Sequence, residues 1–514
     1  MTAKAVSTAF KMKKITQIIS LSFVVLLISS CGKDWLELDP RGTILESNFY
    51  QNEEQIFEAL VATYDLLQWG GTDGWTMKVG LLNAASDDCY AGGSDASDQP
   101  NWVAFDNFTL DPFLGPQSGL WRKGYTGIYR ANLVIEKLET TEDLDDQFKA
   151  RTSAEAKFLR AFFYFDLVRL FGNIPLIDKV LPTEQLYSQT QANSADVYAL
   201  IESDLNDARN TFELPETLPE GELGRITKGA ANALLGKVML YQNDESRMGE
   251  AAMIFEEVIN SGIYDLEDDF GDIFANGNEF GIESIFEINH SGNQQGDYEN
   301  FGNGDTEGNY DVQFFGMRDY VGPLYADGWS FCPITENLVA LMQNDPRFQH
   351  TIINATALQQ QGATYTPAYQ DTGYFIRKYA GLQDDRALSG VVALNWGNNI
   401  REIRLADVYL MAAEALARSG GDMQARSYLN RVRTRVGLQP VGGIMGSDLL
   451  EAIYRERQLE LATEGHRFFD LVRTGRAYTV LGSQGFTAGK NEVLPIPQTE
   501  IDITEGNLKQ NQGY

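Results

Sequence analysis

The chain has 514 residues, with 72 acidic against 41 basic side chains and a formal charge of −31. That excess repels phosphate backbones and anionic lipid headgroups, which excludes nucleic-acid binding as a function class. Apolar residues make up 43% and charged residues 22%, an ordinary globular balance with material for a large core.

At the N-terminus Lys11, Lys13 and Lys14 precede an apolar run over 15–28, followed by Ser29, Ser30 and Cys31. A basic stretch, a short apolar stretch and small residues predict a secretory signal over 1–30. The run is too short and too polar, with Thr16, Gln17, Ser20 and Ser22, for a membrane span of about 20 residues. Leu27-Ile28-Ser29-Ser30-Cys31 resembles a bacterial lipobox, which implies that Cys31 becomes the acylated first residue of the mature chain.

Apolar spacing predicts helices over 53–68, 120–138, 148–171, 196–212, 226–241 and 248–259. Ser194 is the expected N-cap of the fourth, and Gly172 followed by Pro175 ends the third. Residues 69–119 read as a loop rich in Gly, Asp and Asn that carries Trp75, Tyr90, Asn101 and Trp102. Over 263–400 the chain becomes irregular, with short β-type runs such as 284–288. It carries Tyr310, Tyr325, Asp327, Trp329 and Trp396. Long irregular connections are uncommon in compact proteins and are often functional. Helices return at 403–417, 423–436, 449–462 and 467–473, and the tail reads as extended.

Residues 231–262 and 406–437 each run helix, polar turn, helix, with small residues where the helices cross. A unit of about 34 residues matches a tetratricopeptide repeat, and such units bury their apolar faces only by stacking. The expected fold class is therefore mainly α, tetratricopeptide-like, with a loop-rich insertion containing minor β. It forms one domain over 31–514, made of a helical part (32–262, with a ligand loop at 69–119), the insertion (263–400) and a second helical part (401–514).

Glu456, Glu460 and Glu464 share a helix face, and Arg457, His466, Arg467, Asp470 and Arg473 are at hand to neutralise them. An ion-pair network is expected there rather than a catalytic carboxylate cluster, because arginines depress carboxyl pKa values. Asp87 and Asp88 are expected to brace their loop, since adjacent residues rarely flank a glycosidic bond. The three histidines have no zinc spacing, and no metal or cofactor is expected. Asp305, Glu307, Asn309 and Asp311 alternate as oxygen ligands do around calcium, but they lack the rest of an EF-hand and read as a solvated acidic loop. Cys89 and Cys332 are expected as free, partly buried thiols.

The aromatics are the informative set. Sugar rings pack their C–H faces on flat aromatic surfaces, and their hydroxyls need amide, carboxylate or guanidinium partners. Trp75, Tyr90, Asn101 and Trp102 in the first loop, with Tyr310, Tyr325, Asp327, Trp329 and Trp396 in the insertion, are the candidate ligand-binding residues.

The sequence resembles the SusD/RagB family over nearly its whole length. The carrying segments are Trp35-Leu36-Glu37-Leu38-Asp39-Pro40 behind Cys31, Ser86-Asp87-Asp88, Ala154-Glu155-Ala156-Lys157-Phe158-Leu159-Arg160-Ala161, and Leu170-Phe171-Gly172-Asn173-Ile174-Pro175. Further along are Arg404-Leu405-Ala406-Asp407, Glu464-Gly465-His466-Arg467-Phe468-Phe469-Asp470-Leu471 and Leu494-Pro495-Ile496-Pro497. The resemblance implies helix pairs supporting a variable ligand face. It also implies an outer-membrane lipoprotein that faces the cell exterior, binds a glycan or other nutrient without chemistry, and partners a SusC-like TonB-dependent transporter. Two rivals remain: a surface glycan-degrading enzyme, which needs two separated, unpaired carboxylates, and a tetratricopeptide scaffold for envelope proteins, which needs no aromatic platform.

Overall fold

A computed structural model describes residues 49–70, 75–292, 296–298 and 307–514; the leader, Cys31 and Asp305 lie outside these. The chain divides into Met1–Gln51 and Asn52–Tyr514, and the architecture below is that of the second unit.

Its principal elements are α1 (Glu53–Asp65), α2 (Lys78–Ala84), α3 (Pro100–Asp106), α4 (Gln117–Thr140), α5 (Asp146–Phe171), α6 (Ser194–Asn210), α7 (Lys228–Tyr241) and α8 (Met248–Ile259). The irregular region follows with β1 (Ser284–Ile288), α9 (Tyr310–Phe315), α10 (Glu336–Met342), β2 (Ile352–Asn354), β3 (Tyr374–Ile376) and β4 (Ile400–Arg404). The chain closes with α11 (Leu405–Arg418), α12 (Asp422–Arg435), α13 (Gly446–Glu460) and α14 (Arg467–Arg473).

Local chemistry sets the helix ends. Asp145 accepts from the Gln147 and Phe148 amides to start α5, which stops at Gly172 with φ of 71°. Thr227 caps α7 through the Ala230 amide. The cap of α6 is Asn193, not the expected Ser194; its side chain accepts from the Asp196 amide. The residues of α7 are buried on every face from Gly229 to Tyr241, which makes it a central helix.

Successive helices pack in series: α4 on α5, α5 on α6, α6 on α7, α7 on α8, then α8 on α11 and α11 on α12. This is the mainly α, tetratricopeptide-like stack expected from the helical hairpins. The step from α8 to α11 skips the entire irregular region. That region leaves the stack and returns to it through an antiparallel ladder of β1 and β4, with Ser284 opposite Arg404 and Ile288 opposite Ile400.

An ion-pair network lies at this neck. Arg404, 1% exposed, donates to Glu283 (2.8 Å), Glu460 (2.7 Å) and Glu464 (2.8 Å). Arg347 reaches Asp345 and Glu460 (both 2.8 Å), and Lys378 reaches Glu464 (2.7 Å). The expected network exists, but most of the expected partners are wrong. Arg457 turns to Asp407 (2.7 Å) and Asp470, Arg473 to Glu414 (2.6 Å), and Arg467 to Asp87 (2.7 Å). One residue along a helix rotates the side chain by about 100°, so Arg457 cannot face the partners of Glu456.

Two further corrections concern secondary structure. The 69–119 loop holds α2 and α3, and the tail holds a short helix, Gln498–Ile503. In α2 six of seven residues are buried, which erases the one-sided periodicity that would have revealed it. Among the described residues no helix is long and apolar enough to cross a membrane.

Candidate functional site

Trp75 of the first loop and Trp329 of the irregular region meet edge to face, with ring centroids 5.5 Å apart and planes at 82°. Both are partly exposed. Phe314 of α9 lies beneath them, 5.1 Å from each ring. Tyr310 packs against Trp75 at 5.6 Å. A deeper tier follows: Phe314 stacks on Trp102 (5.2 Å) and on Phe331 (4.5 Å). Two partly exposed indoles thus rest on a buried aromatic floor.

Backbone hydrogen bonds set this register. The amides of Trp329, Ser330 and Phe331 donate to the carbonyls of Gln313 (2.9 Å), Gly316 (2.8 Å) and Phe314 (2.8 Å). Antiparallel bridges Cys89–Ile334 and Gly92–Phe331 tie the first loop to the same segment. The Trp102 indole N–H donates to the Trp75 carbonyl at 2.8 Å. Trp75, Ser330 and Cys332 adopt left-handed φ of 59°, 60° and 53°. Such conformations in non-glycine residues cost about 1–3 kcal/mol each, so the surrounding bonds must hold them. A glycine is required at Gly80, where an added Cβ would lie 2.4 Å from the Trp102 ring and 2.8 Å from Asp311 Oδ1.

The other predicted residues scatter into different roles. Trp102 (0% exposed) and Trp396 (1%) are core residues and present no face to a ligand, which corrects the expectation for both. Trp396 donates its indole N–H to Gln313 Oε1 (3.2 Å) and so fixes α9 from behind. Tyr310 (5%) belongs to the floor. Tyr325 is buried in a separate cluster with Met317, Tyr320, Ile353 and Phe375, so it too is corrected. Tyr90 is partly exposed and donates to Glu336 (3.1 Å). Asn101 is partly exposed, with Oδ1 accepting from the Gly115 amide (3.3 Å), and Asp327 is exposed and paired with Arg386. A region without long helices has few aliphatic side chains to fill its interior, so several of its largest aromatics go inside.

Two residues of the site gave no sequence signal. Phe314 is the keystone of the floor but sits on a six-residue helix, too short for a period to emerge. Arg318 is partly exposed beside the platform. It donates to the Trp329 carbonyl (3.2 Å) and lies 3.6 Å from Asp98.

The carboxyls under this face are unusual. Burial raises Asp311 to about 7, opposed by the Gly80 amide and Lys123. Burial, then Asp87, raises Asp88 to about 7, opposed by Arg467. Burial raises Asp106 to about 6, opposed by the Ala91 amide and Gln370. Asp87 takes both Arg467 contacts (2.7 and 2.9 Å) and braces its loop as expected. In the helical stack, burial is overridden: Arg435, Arg404 and Arg347 hold Glu460 well below the usual range, which makes it a poor general acid.

The expected acidic loop is corrected in part. Asn309 and Asp311 are buried rather than solvated, and Asn309 Oδ1 caps α9 through the Asp311 amide (3.0 Å). Among the described residues no group of three His, Cys, Asp or Glu is placed to hold a metal ion. Cys89 and Cys332 are free, and both are fully buried rather than partly so.

Comparison with known proteins agrees with this architecture. The profile of the SusD family matches residues 282–514, and a second profile, described as starch-binding and associating with the outer membrane, matches residues 35–240. A solved laminarin-binding SusD-like protein is 41% identical, with a TM-score of 0.84 over 90% of this chain and 100% of its own. Surface glycan-binding protein A from Bacteroides thetaiotaomicron, solved with laminarihexaose, is 32% identical, with a TM-score of 0.82 over 90% of this chain and 99% of its own. SusD-like protein P25 of Formosa agariphila is 27% identical over 98% of this chain and 100% of its own length. A stack of helix pairs carrying a loop-borne aromatic face, matched in sequence along both halves and in structure over nine-tenths of the chain, means that this protein belongs to the SusD family.

Proposed function

We propose that this chain is a non-catalytic outer-membrane lipoprotein, acylated at Cys31 and facing the cell exterior. In this reading it captures a glycan on the Trp75–Trp329 platform and passes it to a SusC-like TonB-dependent transporter. The observation that carries the reading is the platform itself: two partly exposed indoles, 5.5 Å apart, on rigid buried support. An indole offers a flat apolar face to a sugar ring, and the edge-to-face pair presents two such faces at a steep angle. Tyr90, Asn101, Asp327 and Arg318 supply hydroxyl, amide, carboxylate and guanidinium groups for sugar hydroxyls. Trp102, Trp396, Tyr310 and Tyr325 act from behind as supports.

The glycan class favoured is that of laminarin, because the two solved relatives described above bind laminarin and laminarihexaose. The locked carboxylates of the helical stack support binding without hydrolysis. Calorimetric titration with laminarihexaose tests the reading: binding is expected, it is strongly weakened in Trp75→Ala and Trp329→Ala, and no shorter sugars accumulate. Failure to bind any glycan on a polysaccharide panel, or release of sugar, would sink it. Mass spectrometry of the protein extracted from its native membrane tests the lipid on Cys31. Co-purification of a TonB-dependent partner from the same membrane tests the transport step.

A further inference from the structure

A second cleft lies within the irregular region, and the platform rings are not part of its lining. Its volume is about 180 Å³, and it is walled by residues from 271–276, 324–325 and 377–385, with His350 and Asn398. A cavity of about 150 Å³ takes one benzene ring, so this cleft has room for a single six-membered ring. Leu324 (46% exposed) and the exposed Arg377 belong to the lining, so the cleft opens to solvent. Ring contacts link it to the platform helix only at one remove. Phe274 of the cleft meets Tyr379 at 5.6 Å, and Tyr379 meets Phe315 of α9 at 6.5 Å.

The lining is built to receive hydrogen-bond donors. Asn398 is 4% exposed, yet its Oδ1 has no hydrogen-bond partner among the described residues. Its backbone is engaged: the Asn398 carbonyl accepts from Asn309 Nδ2 at 2.8 Å, the same side chain that caps α9. Asn276 Oδ1 is likewise buried without a partner among the described residues. Such orphans are few in folded proteins, and each one calls for a cause. Burial, then Asp384, raises Asp385, opposed by the Asn276 amide. Lys378 is spent on the Glu460 carbonyl (2.8 Å) and on Glu464 (2.7 Å). Arg377 gives one N–H to the Gln349 carbonyl and carries others at the exposed side.

Charge narrows the class of ligand. Arg377 and Lys378 in the lining oppose a cation, while Asp385 and the two amide oxygens oppose an anion. An apolar ring would leave both amide oxygens buried and unpaired. What remains is neutral, ring-sized and rich in O–H donors. We propose that this cleft is a second binding site of the chain, one that takes a single neutral monosaccharide. Hydroxyls of the sugar donate to Asn398 Oδ1 and Asn276 Oδ1, and its oxygens accept from Arg377 at the mouth. Phe274 and Tyr325 in the lining supply apolar wall for its C–H groups. No bond is made or broken, and the site does not depend on the platform being the glycan face.

Saturation-transfer NMR of D-glucose on the folded mature chain tests the site. Transfer to glucose is expected, and it persists in Trp75→Ala. In Asn398→Leu glucose binding should weaken about tenfold or more, because the apolar side chain offers no acceptor. Laminarihexaose affinity, read by calorimetry, should stay within about twofold in the same variant. Its urea midpoint should match or exceed that of the unaltered chain, since the substitution removes an orphaned amide. No glucose binding, or binding lost in Trp75→Ala and kept in Asn398→Leu, would overturn the proposal. If Asn398→Leu lowers the urea midpoint or does not fold, Leu324→Trp narrows the mouth without altering either amide. Glucose binding should be lost there too, and its retention would overturn the proposal. If glucose binds as expected while laminarihexaose does not bind at all, the platform reading falls and this site stands.

Discussion

The neck of the helical stack and the floor of the aromatic platform both bury carboxylates, yet with opposite results. At the neck Glu460 and Glu464 each face arginines or lysine and stay ionised well into acid. In the loop-rich region Asp106 and Asp311 meet mainly backbone amides and an amide side chain, and burial pushes them up to about 6 and 7; Asp88 is pushed up to about 7 by burial and then by the like charge of Asp87, against Arg467. Burial alone does not decide the state of an acid; the charge of its partners does. The scaffold is held by fixed charge, and the face by groups that change charge near neutrality.

The largest expected effect breaks the scaffold side of this contrast. Arg404→Ala leaves Glu283, Glu460 and Glu464 short of their shared partner, and uncompensated buried charge costs about 3–5 kcal/mol. Urea denaturation should show that loss, and ligand binding should fall with it. On the face side, Trp75→Ala should weaken laminarihexaose binding by about 2 kcal/mol or more, some thirtyfold, with the helical circular dichroism unchanged. Gly80→Ala sharpens the comparison at the joint of the floor. Its new Cβ collides with the Trp102 ring, and overpacking of this kind costs about 1–3 kcal/mol in thermal or urea unfolding.

The two regions should also answer pH differently. Depressed acids such as Glu464 and Asp470 stabilise above their unfolded values, and that contribution is lost as pH falls through and below about 4. The raised acids of the face have the reverse sign: each costs stability as pH climbs from about 4 to about 7. His290 and His466, lowered by burial to about 4 and 3, oppose the acid side below about 6.5. Stability should therefore rise by about 1–3 kcal/mol from pH 8 to a mildly acidic optimum and collapse below pH 4, read by urea midpoints across pH. The smallest effect is a control. Phe212 is 97% exposed, and Phe212→Ser should change stability by less than about 0.5 kcal/mol.

The same contrast sets what the sequence makes legible. Met248–Ile259 is placed to the residue, because a helix with one buried stripe writes its period into the chain. The neck network is foreseeable in kind from Glu456, Glu460 and Glu464. Its real partners, Arg347, Lys378, Arg404 and Arg435, come from segments far away in sequence, which no spacing reveals. For the site, aromatic loops point to the right regions and find Trp75 and Trp329. They cannot separate a sugar-facing indole from a core one such as Trp102 or Trp396, because irregular backbone gives no inside and outside to count.

The β1–β4 ladder has an evolutionary corollary. Since α8 packs straight onto α11, the stretch between the two strands is a cassette: loops within it can be rewritten, or exchanged between relatives, while the stack keeps its own contacts. Any graft must still carry an arginine and a lysine where Arg347 and Lys378 now sit, because these two cations from the cassette plug into the acids of the stack. They act as a docking key that lets ligand preference drift without unseating the fold.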